Sequence, residues 1–296
     1  MSIVMNIYNV KFIKNIVFIF ILFNVNVFAQ VDNAIDSMFC TKEHQLTDLL
    51  RDINDTKFND VKIDTLNKKV LGIFGAVLQK KRAFEYSFDS ILFVSKIVSE
   101  DKKIRFFTWA ISYSDGTYKH FGFMQYYSEK QNKVLLFSLI DKSDSIKNID
   151  NVTLSTDNWF GAMYYDIVQT KDYYGDLYVL LGWDGNNLFS KKKVIESLRV
   201  VNDKPIFGLP VFIAGKEIRK RVIFEYSRMS SMMLKYDKSY KMIVFDHLEP
   251  SSYIYNGNYQ YYGPDLTIDA LKYNGDKWVY KQNIDYKPQG SRRKKR

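Results

Sequence analysis

The chain reads as a mainly β protein, an antiparallel β-meander preceded by one or two N-terminal helices, and three observations carry that reading. From about Phe84 the apolar period changes from 3.6 to 2. The runs this defines are short and rich in aromatic and β-branched residues. Dipeptides suited to tight turns separate them: Asp115-Gly116, Asp184-Gly185, Asn256-Gly257 and Asn274-Gly275. With one cysteine, Cys40, no intramolecular disulfide is possible, so the fold rests on packing, to which the 16% aromatic content is suited.

The chain begins with an address. Lys11 and Lys14 precede an apolar run at 16–23 that continues to Phe28, and Val27 and Ala29 take the small-residue positions of a signal-peptidase site. The expectation is a signal peptide over 1–29, cleavage before Gln30, and a periplasmic or extracellular destination. A membrane span needs about 20 apolar residues. Asn24 and Asn26 interrupt this run, and no later stretch approaches that length, so the mature chain is expected to have no transmembrane span. Cys40 lacks the small-residue context of a lipoprotein cysteine.

A helical segment is expected over 30–83. Leu46, Leu49, Leu50 and Ile53 form one apolar stripe, with Thr41 available as a cap. Leu66, Val70, Phe74 and Val77 repeat the pattern, although Gly72 and Gly75 weaken a helix and are compatible with a strand. A β domain follows over 84–286. Its predicted strands are 104–112, 118–127, 134–139, 162–169, 177–182, 194–200, 206–212, 221–226, 232–236, 242–245, 266–273 and 278–281. Connections this short make neighbours antiparallel. Phe121-Gly122, Phe160-Gly161, Phe207-Gly208 and Tyr262-Gly263 recur at spacings near the roughly 40–50-residue blade repeat of propellers. A propeller-like array, a sandwich and an open barrel all remain compatible with the pattern.

The formal charge of +10 divides unevenly. Lys11 and Lys14 belong to the leader, and Arg292, Arg293, Lys294, Lys295 and Arg296 to a basic tail over 287–296 that reads as disordered. The body is nearly neutral, and that argues against nucleic acid as a partner.

The segments Arg105-Phe106-Phe107-Thr108-Trp109, Leu180-Leu181-Gly182-Trp183-Asp184-Gly185-Asn186-Asn187, Phe207-Gly208, Phe224-Glu225-Tyr226, Phe245-Asp246-His247-Leu248 and Tyr262-Gly263-Pro264-Asp265 resemble a family of uncharacterised exported bacterial envelope proteins of the Bacteroidetes type. The resemblance covers most of the mature chain. It implies export and an envelope setting, and it supplies neither an activity nor a cofactor.

Candidate chemistry is sparse. Asp184, Asn186 and Asn187 place side-chain oxygens in one turn, as a hard cation requires, but the turn lacks EF-hand spacing and is too short to complete a calcium shell. A hairpin turn is the simpler reading, with Gly185 supplying positive φ and its polar neighbours facing solvent. Asp246, His247 and Asp265 add carboxylate and imidazole groups near strand ends. Three histidines and one cysteine leave a nitrogen and sulfur zinc site short of ligands. No Gly-x-Ser-x-Gly elbow, Walker A loop or Gly-x-Gly-x-x-Gly fingerprint occurs. Two readings follow. One is a non-enzymatic binding module that takes a glycan or an envelope protein through Tyr259, Tyr261 and Tyr262 beside Asn256 and Asn258. The other is a hydrolase of extracellular polymer using Asp184, Asp246, His247 and Asp265. Convergence of those four in one pocket favours the hydrolase, and dispersal favours the binder.

Overall fold

Apolar residues at helical spacing build two helices at the start of the described chain. The computed structural model describes residues 36–55, 59–80 and 82–287. The expected leader over 1–29 with its cleavage before Gln30, and the expected tail beyond Lys287, lie outside the described residues. Helix α1 spans 36–53 and buries Leu46, Leu50 and Ile53, while α2, Asp60–Leu78, buries Leu66, Val70, Phe74 and Val77. Thr41 is not the cap of α1. The helix is already running at residue 36, and the Thr41 hydroxyl donates back to Ser37 O at 2.9 Å, as a threonine inside a helix does. In α2 the Asn59 side chain takes the capping role, accepting from Lys62 N at 2.9 Å. Gly72 and Gly75 stay helical because the buried stripe outweighs a propensity cost of about 1 kcal/mol each.

The strands form three sheets. The first runs β1 (Ser95–Val98), β2 (Ile104–Ser112), β3 (Tyr118–Ser128) and β4 (Lys133–Ile140), in that order. The second holds β5 (Met163–Asp172), β6 (Gly175–Asp184), β7 (Ser190–Val201), β8 (Lys204–Phe207) and β11 (Arg221–Ser227). Its order is β11-β7-β6-β5, with β8 also on β7. The third comprises β9 (Phe212–Ala214), β10 (Glu217–Arg219), β12 (Leu234–Asp237), β13 (Met242–Pro250), β14 (Tyr262–Tyr273) and β15 (Trp278–Lys281). They lie in the order β10-β9-β15-β14-β13-β12.

Three apolar cores separate the layers. Phe74 and Leu66 of the helices meet Phe107, Trp109 and Phe123 of the first sheet. Phe106 and Met124, on the opposite face of that sheet, meet Tyr164 and Leu180 of the second. Val179 and Ile195 then meet Phe245 and Trp278 of the third. The period-2 alternation in Arg105–Trp109 is what sends Phe107 and Trp109 to the helices and Phe106 to the second sheet. The leading strands also touch: Ser95 of β1 donates to Tyr164 O of β5, and Tyr165 of β5 donates to Leu234 O of β12 at 3.0 Å. The meander is therefore layered, with its sheets stacked and not closed into a barrel.

Arg105 ties the helical layer to the first sheet. Its guanidinium donates to the carbonyls of Ala83, Phe84, Tyr86 and Ser87 and lies 4.6 Å from the Phe107 ring centroid. Burial without a bonded carboxylate lowers its pKa to about 10.

Several details differ from the sequence expectation. The 206–212 run is two strands, β8 and β9, broken at Gly208, whose φ is +78°. Strand β9 pairs in parallel with β15 through Trp278 opposite Phe212, whereas the other named strand pairs among the described residues are antiparallel. Asn256-Gly257 separates two 3₁₀ turns in the long loop between the paired strands β13 and β14, and makes no tight two-residue turn. The four aromatic-glycine pairs occupy unlike places: within β3, before β5, after β8 and at the start of β14. They are local packing devices and not a blade repeat.

Candidate functional site

The turn from Asp184 to Asn187 is built differently from the expected hairpin. Positive φ falls on Asn186, at 51°, and Gly185 is absent from that region of backbone space. Glycine is needed at 185 for a different reason, since a Cβ there lies 2.4 Å from the Tyr118 ring. That ring packs edge-on against Trp183, and the Tyr118 hydroxyl accepts a hydrogen bond from Arg228 Nη2 at 3.1 Å. Nor do the polar side chains all face solvent. Asp184 is 5% exposed. Its Oδ1 accepts from Asn186 N at 2.7 Å. Lys192 Nζ donates to Asn186 Oδ1 at 2.8 Å and lies 4.0 Å from Asp184 Oδ2. Asn187 Oδ1 accepts from Phe189 N and Ser190 N. The side-chain oxygens of Asn186 and Asn187 and Oδ1 of Asp184 already have hydrogen-bond partners, and the Lys192 ammonium stands beside Asp184 Oδ2 where a cation bound by Asp184 and Asn186 would have to sit. Among the described residues no group of three or more His, Cys, Asp or Glu side chains is placed to hold a metal ion.

Asp184 opens onto a cleft of about 1490 Å³ between α2, the β3–β4 face, the 141–149 segment and the turn itself. At its base, β3, β4 and β6 bring three ionisable groups together. His120 is 2% exposed, and its Nδ1 lies 3.3 Å from Asp141 Oδ2. Its Nε2 lies 3.6 Å from Asp184 Oδ1, inside ionic range but beyond a hydrogen bond, and is a buried atom without a hydrogen-bond partner. Burial by itself raises Asp141. The hydrogen bond and charge of His120, with the Ser143 hydroxyl and amide, outweigh it and bring Asp141 down to about 2. Asp184 moves the other way, because burial exceeds the attraction of His120, the Asn186 amide and Lys192. The two carboxylates address opposite ring nitrogens, so the imidazole stands between them and they cannot share one ligand atom.

The remaining candidates lie on the third sheet. Asp246 bonds to the backbone: its Oδ2 accepts from Met233 N at 2.7 Å, joining β13 to the entry of β12. His247 sits at the bulge between Asp246 and Leu248. Its Nδ1 lies 2.7 Å from Asp269 Oδ2 and its Nε2 3.1 Å from Glu249 Oε1. Burial lowers the pKa of His247, but these two carboxylates outweigh it and the net shift is upward. Asp265 is exposed, and its Oδ1 accepts from the Thr267 amide and hydroxyl. Neither Asp246, His247 nor Asp265 lines the cleft with Asp184. Asp184 thus stands apart from the other three, whereas His247 and Asp265 lie near enough for each to shift the other's pKa.

The tyrosine-rich segment at 251–262 is at the surface. Tyr253 is 87% exposed, Tyr259 44% and Tyr261 40%. Tyr255 and Tyr261 stack at 4.0 Å with an interplanar angle of 22°. Tyr262 donates its hydroxyl proton to Asn256 Oδ1 at 2.8 Å and accepts from Gly257 N at 2.9 Å, which closes the loop on itself. A groove of about 470 Å³ adjoins it, lined by Glu249, Gln260, Tyr261, Tyr262 and Asp265 among others.

His120, Asp141 and Lys192 escaped the sequence reading because they come from β3, from the residue after β4 and from β7, and no spacing links them. The one local signal was a buried-face position for His120 in the alternation of β3. Comparison of the chain with protein-family models, with curated proteins and with solved structures finds no match.

Proposed function

We propose that the chain is an exported, non-enzymatic β-rich binding module that takes a glycan on the tyrosine loop at 251–262. The observation that carries this reading is the outward placement of Tyr253, Tyr259 and Tyr261 on a loop stiffened by the Tyr255–Tyr261 stack. Aromatic faces pack on the C–H faces of sugar rings, and a stacked pair loses little freedom on binding. Gln260, Glu249 and Asp265 in the adjoining groove offer hydroxyl partners. Separation of Asp184 from Asp246, His247 and Asp265 means that the four do not converge in one pocket, which supports a binder over a hydrolase.

The test is calorimetric titration of the mature chain with soluble bacterial polysaccharides and peptidoglycan fragments, alongside the Tyr259→Ala/Tyr261→Ala double variant. The expected result is saturable binding that the variant weakens at least about tenfold, with no reducing ends released. A panel that shows no binding sinks the glycan reading, and release of reducing ends restores the hydrolase. Export is tested separately: mass spectrometry of natively expressed protein should find an N-terminus at or near Gln30, and an intact Met1 on the mature species defeats it.

A further inference from the structure

The second and third sheets do not meet everywhere along their shared core. Between β11 of the one and β9, β13, β14 and β15 of the other lies a pocket of about 190 Å³, walled by Phe212, Val222, Phe224, Phe245, Leu271 and Tyr280. Protein interiors pack so closely that few voids exceed a water molecule. Here the rings brace one another around the space: Phe224 and Phe245 lie 4.6 Å apart between centroids, and Tyr280 stacks on Phe245 at 6.3 Å and 26°. Phe212, Phe245 and Leu271 are buried at the floor, whereas Ala214, Arg219 and Val222 are half-buried and mark the side on which the pocket opens.

The chemistry of the walls is one-sided. Two polar side chains reach the pocket, and each is already answered. The Tyr280 hydroxyl donates to Asp269 Oδ2 at 2.5 Å. Arg219 donates through Nε and Nη2 to Glu217 Oε2, at 3.1 and 2.7 Å, and a second carboxylate, Asp150, lies within its electrostatic reach. The strands of the floor pair with one another, β9 with β15, β15 with β14 and β14 with β13, so their backbone groups serve the ladders. About six waters would fill this volume, each needing two or more polar partners that the walls do not supply. An apolar cavity of roughly 150 Å³ stays dry and takes a benzene-sized ring.

We propose that this pocket binds one small uncharged hydrophobic molecule built on a single aromatic or aliphatic ring. The site is separate from the tyrosine loop, since no residue of 251–262 lines it. A charged ligand is disfavoured because its charge would be buried without a free partner. Volume argues against a polypeptide, which would bring several side chains in a row to a space that holds about one ring. Charge argues against a second copy. The β9–β10 hairpin at the rim carries Lys216, Arg219 and Lys220 against Glu217, and a two-fold contact would set that positive excess against itself. Within this chain, the residues beyond Lys287 include no large apolar side chain. Those before residue 36 lead into α1, whose core lies against the first sheet, with the second sheet between it and the pocket.

The experiment is an NMR titration of the full-length protein with toluene, and with benzoate as a charged molecule of similar shape. Ala214→Leu, which extends a side chain into the pocket, is the blocking variant. The expected result is saturable shifts at Phe212, Phe245 and Leu271 with toluene, at least tenfold weaker binding of benzoate, and at least tenfold weaker binding of toluene to Ala214→Leu. If Ala214→Leu fails to fold, Val222→Phe blocks from the opposite sheet, with the same tenfold loss expected. The titration is repeated without residues 1–29 and at several protein concentrations. Binding that appears only after 1–29 are removed makes the leader the occupant, and binding that weakens as protein concentration rises makes it a second copy. Either result overturns the proposal, as do absent shifts at these three residues, equal affinity for benzoate, or toluene binding unchanged in the blocking variant.

Discussion

Two clusters of buried charge, built from similar parts, have opposite completeness. In the second sheet, Glu196 and Arg221 are fully buried and bonded to each other. Glu196 also accepts from the Tyr164 hydroxyl, which in turn accepts from Trp159 Nε1 at 2.8 Å, while Arg221 donates to Ile149 O. At the base of the cleft, His120 lies between Asp141 and Asp184, but its Nε2 has no hydrogen bond and Asp184 keeps an oxygen toward Lys192 and the opening. A low-dielectric interior rewards complete networks and penalises incomplete ones. The first cluster is thus a structural pin that ties 149–164 to the sheet. The second holds unspent hydrogen-bonding capacity beside a cavity.

The comparison breaks most visibly at the pin. Arg221→Met leaves Glu196 buried without its counter-ion, and a loss of about 3–5 kcal/mol is expected in urea unfolding. A loss below about 1 kcal/mol would mean that the pair contributes nothing net. Gly185→Ala comes next, because its Cβ must displace a Tyr118 ring already held by Trp183 and Arg228. Overpacking of this kind costs about 1–3 kcal/mol, and Gly185→Ala/Tyr118→Ala should show strong coupling in a double-mutant cycle. Additivity of the two would show that the ring is not the obstacle.

The cleft cluster sharpens the contrast through pH. Asp141 has a folded pKa of about 2, below the roughly 3.9 of an unfolded aspartate, so its contribution is fully present above the unfolded value and fades as pH falls toward 2. Asp141→Asn should therefore cost on the order of 2 kcal/mol at pH 7, with the gap to wild type closing between about pH 4 and pH 2. A gap independent of pH contradicts the assignment. Asp184 has the opposite sign: its folded pKa is raised, so the penalty of ionising it is absent below the unfolded value and complete above the folded one. Asp184→Asn should change stability at pH 7 by less than about 1 kcal/mol in either direction, the smallest effect of the series. Calcium should leave the melting temperature of both proteins unchanged, since Lys192 already answers the turn's oxygens. A calcium-dependent rise in wild type lost in Asp184→Asn would reinstate a cation site.

Much of this molecule was legible in local pattern. Strands 104–112 and 278–281 were predicted with their observed bounds, because period-2 alternation and the flanking turn residues are properties of neighbouring side chains. The helical stripe of α2 outvoted its glycines for the same reason. The turn after β6 was legible as a turn, since Asn and Gly tolerate its backbone, but its interior was not. Positive φ falls on Asn186 instead of Gly185, and glycine is required at 185 because Tyr118, from β3, claims the space a Cβ would take.

By itself, the sequence determined the class of fold, the helix-then-strand order and the places where the chain turns, all of which rest on interactions within a few residues. Tertiary structure alone decided that β9 runs parallel to β15, and that Asp184 meets His120 and Lys192 instead of Asp246, His247 and Asp265. The physical reason is register. Which ionisable groups meet depends on how strands far apart in sequence align, and a slip of one residue sends every side chain of a strand to the opposite face.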